Sequence, residues 1–138
     1  MSLVLDSSAT LAWVFAEERT EAIAGVFDQL VSAGAWVPSI WRLEVANVLE
    51  MGVRRGRIDA PFRDATLADL ELLPIQTDPE TEKHAWQTTL RLAELHRLTV
   101  YDAAYLELAM RRGLQLASLD RQLRAAAALE NVSLLGDR

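Results

Sequence analysis

Short apolar runs of strand length alternate along the chain with longer stretches in which apolar residues recur every three or four positions. The strand-like runs lie at residues 2–5, 35–38, 73–76, 114–118 and 132–135. Between them the punctuation of helices is legible. Ser7 and Ser8 are placed to cap a helix through Leu11 and Val14. Pro38 and Ser39 precede a stretch carrying Ile40, Leu43, Val48 and Met51, which the region from Gly52 to Gly56 breaks. Asp59 with Pro61 opens another helix, and Asp78 with Pro79 opens a longer one through Trp86, Leu90 and Leu95. Asp is a favoured cap and Pro fits a first helical turn. Thr99 and Asp102 have the spacing of a capping box, with Asp in place of the usual Glu, and Gly113 stops the helix that follows.

Alternating β and α segments predict an α/β fold with a parallel sheet covered by helices on both faces. Right-handed crossovers leave few doubly wound strand orders. Sheets of this kind bind ligands at the carboxyl ends of their strands, where the strand order reverses. No internal repeat, low-complexity segment or linker interrupts the pattern, so residues 1–138 read as a single domain.

Composition narrows the function classes. Half of the residues are hydrophobic (51%) and a quarter charged (25%), an ordinary globular balance that excludes a disordered tail or a coiled coil. The absence of cysteine removes disulfides, thiolate nucleophiles and Cys-rich metal sites. No apolar run approaches the roughly 18 residues of a membrane span. The first residues carry neither a basic stretch nor a small-residue cleavage site, so the expected location is the cytoplasm. A net charge of -6 argues against a protein that binds DNA by charge alone. It leaves room for a nucleic-acid enzyme whose carboxylates hold a metal.

Most of the acids fall on expected solvated helix faces, but four do not. Asp6 closes the first strand in VLDSS. Glu44 lies in the apolar stretch IWRLEVANVL, where an unpaired carboxylate is costly to bury. Its ordinary explanation is a pair with Arg42 or Arg54, yet Asn47 shares its face and gives that helix a polar spot. Asp102 and Asp120 each begin a helix, where an acid satisfies free amides and the helix dipole. Taken singly, the three aspartates read as caps. Taken together, Asp6 and Asp120 sit at carboxyl ends of strands on one sheet edge, with Asp102 and Glu44 heading nearby helices. Converging carboxylates repel one another unless cations intervene. Hard oxygen ligands suit Mg²⁺ or Mn²⁺, and the chemistry this implies is metal-assisted phosphodiester hydrolysis. His84 and His96 fall in polar helical patterns and read as surface residues, which disfavours a Ser-His-Asp relay. No Gly-rich phosphate loop is present.

The segments LDSS, PSIWRLEVANVL, LTVYDAAYLELAMRRGLQLASLD and LRAAAAL, in this order and spacing, resemble those of PIN-domain ribonucleases. The resemblance is specifically to VapC-type toxins of type II toxin–antitoxin pairs. It implies a PIN-like α/β/α sandwich with a central, mainly parallel sheet. It also implies dependence on Mg²⁺ or Mn²⁺ and endonucleolytic cleavage of RNA such as tRNA or rRNA. A homodimer and inhibition by a cognate VapB-type antitoxin, whose tail lies across the active-site groove, follow from it as well.

Matched position by position, the acidic quartet that holds metal falls on Asp6, Glu44, Asp102 and Asp120. The accompanying hydroxyls match Ser8 and Ser118, where the family often has Thr at the second, and the polar helix residue matches Asn47. Arg42, Arg121 and Arg124 are candidates for contact with the RNA backbone. Trp13, Trp41 and Tyr105 are candidates for base stacking or antitoxin contact, with core or dimer packing as their ordinary duty. Two other classes compete. A PIN-like module that binds RNA or protein without cleaving it would carry the same ligands. A phospho-receiver-like signalling domain would need a pair of acids after the first strand and a late lysine, whereas Asp6 stands alone and the only lysine, Lys83, lies in a helix.

Overall fold

In a computed structural model of the chain, which describes residues 1–137, five strands form one parallel sheet. They are β1 (Leu3–Leu5), β2 (Ala35–Val37), β3 (Ile75–Thr77), β4 (Gln115–Ala117) and β5 (Leu134–Leu135). Their order is β3-β2-β1-β4-β5, so the chain builds outward from β1 on one side and returns to build outward on the other. The order therefore reverses between β1 and β4, whose register pairs Leu5 with Ala117.

Parallel strands require long crossovers, and helices supply them. Helices α1 (Ser7–Val14) and α2 (Glu21–Ala33) join β1 to β2, while α3 (Trp41–Arg54) and α4 (Ala60–Glu71) join β2 to β3. Then α5 (Thr81–His84), α6 (Leu90–His96) and α7 (Val100–Arg112) lead to β4, and α8 (Arg121–Leu129) leads to β5. Leu3, Val4 and Leu5 alternate between the two faces of the sheet, yet all three are fully buried. Both faces at β1 are therefore covered, as in a fully buried parallel sheet. Among the described residues no helix is long and apolar enough to cross a membrane.

Three features differ from the sequence expectation. The pattern did not announce α2, although Ile23, Val26, Phe27 and Leu30 bury one helical face and Thr20 caps it by accepting from the Ile23 amide. The long helix expected after Asp78 is interrupted by a π-helical turn at Ala85–Thr89, which separates α5 from α6. His96 is not a surface residue: its side chain is nearly covered and bonds the Glu130 carboxylate at 2.7 Å. That contact ties the end of α6 to the end of α8. Gly113 ends α7 in the left-handed conformation as expected (φ 64°), where a side chain would be strained.

Asp78 is not a helix cap either. Its fully buried carboxylate accepts from Arg111 Nη2 at 2.6 Å, from Arg112 Nη2 at 3.0 Å and from the Thr81 hydroxyl at 3.0 Å. Arg111 also reaches Glu107 at 2.7 Å, and the Arg112 guanidinium lies over the Trp36 ring at 3.6 Å. Burial alone would raise the Asp78 pKa, but hydrogen bonds from Arg111, Arg112 and Thr81 outweigh it and hold the group at about 2. The folded value lies below the unfolded 3.8, so this stabilisation is complete above 3.8 and lost as pH falls through about 2. Asp78→Asn leaves two arginines facing a neutral group and is expected to cost about 3 kcal/mol at neutral pH. Urea midpoints of wild type and variant should differ most at neutral pH and converge between 3.8 and about 2. Equal midpoints at neutral pH would remove this knot from the account of stability.

Candidate active site

The carboxyl ends of β1 and β4 lie side by side, and the chain leaves each strand directly into a site residue. Asp6 follows β1, and its backbone N–H donates to the Ala117 carbonyl at 3.0 Å, extending the ladder by one step. Its carboxylate is buried, the residue being only 2% exposed. Ser118, which follows β4, and Ser8, in the first turn of α1, each donate a hydroxyl to Asp6 Oδ2 at 2.7 Å. The Ser7 hydroxyl donates to Oδ1 at 3.3 Å. The same hydroxyls also accept: Ser8 Oγ from the Leu119 amide at 2.9 Å and Ser118 Oγ from the Asp120 amide at 3.1 Å. Two serines thus stitch the ends of two strands around one carboxylate.

The other acids arrive on helices fastened to this centre. Trp41 Nε1 donates to Thr10 Oγ1 at 3.0 Å, and Thr10 Oγ1 donates to the Asp6 carbonyl at 3.0 Å, which draws the start of α3 against β1. One turn later Glu44 stands half-buried, accepting a hydrogen bond from the Tyr105 hydroxyl. Asp102 lies in the first turn of α7, where Thr99 caps the helix by accepting from the Asp102 amide at 3.1 Å. Asp120 caps α8 by accepting from the Leu123 amide at 2.8 Å. The capping geometry expected for these residues is present, and the caps set the carboxylates at one edge of the sheet.

Their electrostatics link the four. Burial pushes Asp6 above the ordinary carboxylate range, and the Ser118 and Ser8 hydroxyls offset this only in part. Glu44 is pushed up by burial and then by the charges of Asp6 and Asp102, against the hydrogen bond from Tyr105. Asp102 is pushed up by burial and by the charges of Asp6 and Asp120. Every member of the quartet repels at least one other.

The remaining residues singled out in the sequence lie around this centre in different ways. Asn47 stands a turn beyond Glu44, exposed, in a shallow cavity with Phe15, Met51 and Arg55, and makes no hydrogen bond to the acids. Arg42 is exposed and paired with Glu71 of α4. Arg124 donates to the Ser118 and Leu135 carbonyls at 2.7 and 2.9 Å, which fixes it to the backbone. Arg121, next to Asp120, is exposed and makes no ion pair with any described residue. Trp13 stacks on Phe27 with ring centroids 4.5 Å apart, while Trp41 and Tyr105 are buried. All three serve packing. Sequence reasoning did not find Tyr105 as the contact of Glu44. The one signal was spacing, since Tyr105 is one helical turn from Asp102 and shares its face.

The donor set is made of hard oxygens from carboxylates, with hydroxyls behind them, and this chemistry suits Mg²⁺ or Mn²⁺. Among the described residues no three carboxylate or imidazole groups already stand arranged to hold an ion. Mg²⁺ ordinarily takes one or two protein carboxylates and keeps several waters, so the quartet fits that mode of binding rather than a closed cage. In the metal-free protein Asp6, Glu44 and Asp102 all bind protons more tightly when folded. Stability therefore falls as pH rises from the unfolded carboxylate range through their raised folded values. Asp102→Asn removes one repelling charge and is expected to raise the metal-free melting midpoint at neutral pH by a few degrees, with a shallower decline on the alkaline side. Melting scans in EDTA across pH test this. A lower midpoint would mean that the place of Asp102 in the α7 cap outweighs the repulsion.

A family model for the PIN domain matches residues 3–129. The chain is 35% identical over 127 residues to Ribonuclease VapC3 of Pyrobaculum aerophilum, covering 89% of this chain and 92% of that protein. Its fold is similar to the crystal structure of PAE2754 from Pyrobaculum aerophilum, with a TM-score of 0.65 and 23% identity over 97% of this chain and 83% of that one. It is equally similar to FitAcB from Neisseria gonorrhoeae, with a TM-score of 0.65 and 17% identity over 97% and 96% of the two chains. The expected PIN-like sandwich with a parallel sheet is the fold observed. The chain belongs to the PIN-domain family and, within it, to the VapC-type ribonucleases.

Proposed function

We propose that this protein is a Mg²⁺- or Mn²⁺-dependent endoribonuclease toxin that cuts tRNA or rRNA and is held inactive by a VapB-type antitoxin. The observation that carries the reading is the quartet: four acids from four different segments stand at the point where the strand order reverses, and the charges of their neighbours raise the cost of ionising Glu44 and Asp102. A ribonuclease at 35% identity over most of the chain supports the same conclusion. When bound, Mg²⁺ or Mn²⁺ supplies counter-charge for the acids and polarises both water and the scissile phosphate.

The protein's own groups do the positioning. Asp6, held by Ser8 and Ser118, Glu44 and Asp102 would hold the principal ion directly or through water, and Asp120 would complete the pocket or hold a second ion. Asn47 extends the polar face of α3 toward solvent. Arg121 is the arginine free to meet the RNA backbone, with Arg42 and Arg124 at the margins of the groove. An antitoxin tail and a second copy of the chain both require apolar surface. A cavity of about 340 Å³ beside the Glu44 turn of α3, lined by Trp41, Leu67, Leu70 and Ile75, offers one. The face with Trp86 (91% exposed), Leu90 and Leu95 offers another.

The test uses wild type and Asp6→Asn, prepared identically, against mixed tRNA and rRNA with Mn²⁺, with Mg²⁺ and with EDTA. Products are resolved at single-nucleotide resolution. Discrete fragments from wild type with metal, absent in EDTA and in the variant, are expected, and their ends name the target. Cleavage by Asp6→Asn at the wild-type rate would overturn its role as a ligand. Unchanged RNA in every lane would favour the binding-only module. In cells, expression should arrest growth, and co-expression of the product of the adjacent upstream gene should restore it.

A further inference from the structure

Tyr105 is among the largest fully buried side chains, at 0% exposure. A Phe would fill the same volume without taking a hydroxyl out of water, a step that costs free energy unless the hydroxyl finds a partner. Here the partner is Glu44, whose Oε1 accepts from Tyr105 Oη. No element of the core needs this hydroxyl. The site does.

Glu44 has a long, flexible side chain at a half-exposed position on α3. Asp6 and Asp102 repel it, and water lies on the open side. An unanchored carboxylate in that place lowers its energy by turning outward. The nearest cation along the helix, Arg42, is engaged by Glu71 and cannot hold it. Tyr105 can, because its helix is packed into the core: every residue of α7 from Ala103 to Ala109 is buried. Asp102 and Tyr105 lie three residues apart on that helix and so share a face. One rigid helix delivers an acid of the quartet together with the hydroxyl that fastens another.

We infer that Tyr105 is a positioning residue for the divalent-cation site, its hydroxyl holding the Glu44 carboxylate beside Asp6 and Asp102 before the ion arrives. The inference rests on the metal-dependent reading above. Removing a group that orients a metal ligand typically weakens metal affinity about 10–100-fold, so Tyr105→Phe should do so with all four acids still in place.

The experiment is calorimetric titration of Mn²⁺, without RNA, into metal-free wild type, Tyr105→Phe, Glu44→Gln and the double variant. Tyr105→Phe is expected to raise Kd about 10–100-fold. Adding Tyr105→Phe to Glu44→Gln should change Kd by less than about twofold, because the hydroxyl acts through the carboxylate. In RNA cleavage, the deficit of Tyr105→Phe at limiting Mn²⁺ should exceed its deficit at saturating Mn²⁺ by the same factor. Lost stability alone would not produce that split. Equal Kd for wild type and Tyr105→Phe overturns the inference, and so does full additivity in the double variant. If wild type binds Mn²⁺ and Asp6→Asn does not, such a result leaves the metal reading standing. If wild type binds no Mn²⁺, both are overturned.

Discussion

A single buried carboxylate, that of Asp6, organises the site. It follows the central strand at the point where the sheet changes direction, and burial there denies it water. Taking an ion out of water costs several kcal/mol even after the protein relaxes. Hydroxyls from Ser8 and Ser118 recover part of that cost, and they do so by joining α1 to the end of β4. The same two hydroxyls then accept the Leu119 and Asp120 amides, so the turn carrying the fourth acid is fixed by the groups that solvate the first. Packing of α3 and α7 against this centre forces Glu44 and Asp102 into a field that raises their own cost of ionisation. The fold holds together charges that would otherwise separate.

Asp78 shows that burial alone does not produce such a site. It is as inaccessible as Asp6, at 1% against 2% exposure, and it also follows a strand. The difference lies in its partners. Two guanidinium groups neutralise Asp78 and hold its pKa at about 2, whereas hydroxyls and other acids surround Asp6 and its pKa rises. A buried acid whose counter-charge comes from the chain is a structural knot. A buried acid with hydrogen-bond donors but no counter-charge has a place left for one, and strongly perturbed groups of this kind mark functional sites.

The sequence displays these two aspartates almost identically, each at the end of a short apolar run and before a helix. Nothing local separates them, because Arg111 and Arg112 lie more than thirty residues from Asp78 and meet it only through the tertiary fold. The central strand β1 was legible because a parallel strand buried on both faces reads as an unbroken apolar run. Asp102, Asp120 and Gly113 were legible because caps and stops are set by neighbours in sequence. The π-helical turn at Ala85–Thr89 and the contact between Tyr105 and Glu44 were not, since each depends on how one helix lies on another. His96 was hidden for the same reason: its partner, Glu130, belongs to a distant helix. The quartet became visible only when three ambiguous caps and one out-of-place glutamate were considered together.

The charge distribution carries the argument one step further. Of the arginines, Arg42, Arg54, Arg57, Arg63, Arg111 and Arg112 are held by acids of the chain, and Arg124 by carbonyls and Asp137. With a net charge of -6 and most of its guanidinium groups engaged, the protein has little positive field left to draw a polyanion toward four carboxylates. On the proposed function, an ion that neutralised the quartet would therefore do two things at once, supplying the chemistry and removing the repulsion that would keep a phosphate out. Binding free energies of two ligands that help each other are reciprocal, so on the proposed function RNA in the groove would tighten the hold on the ion by the same factor. On the proposed reading, a site built from mutually repelling acids in an acidic protein would admit RNA only together with its cation.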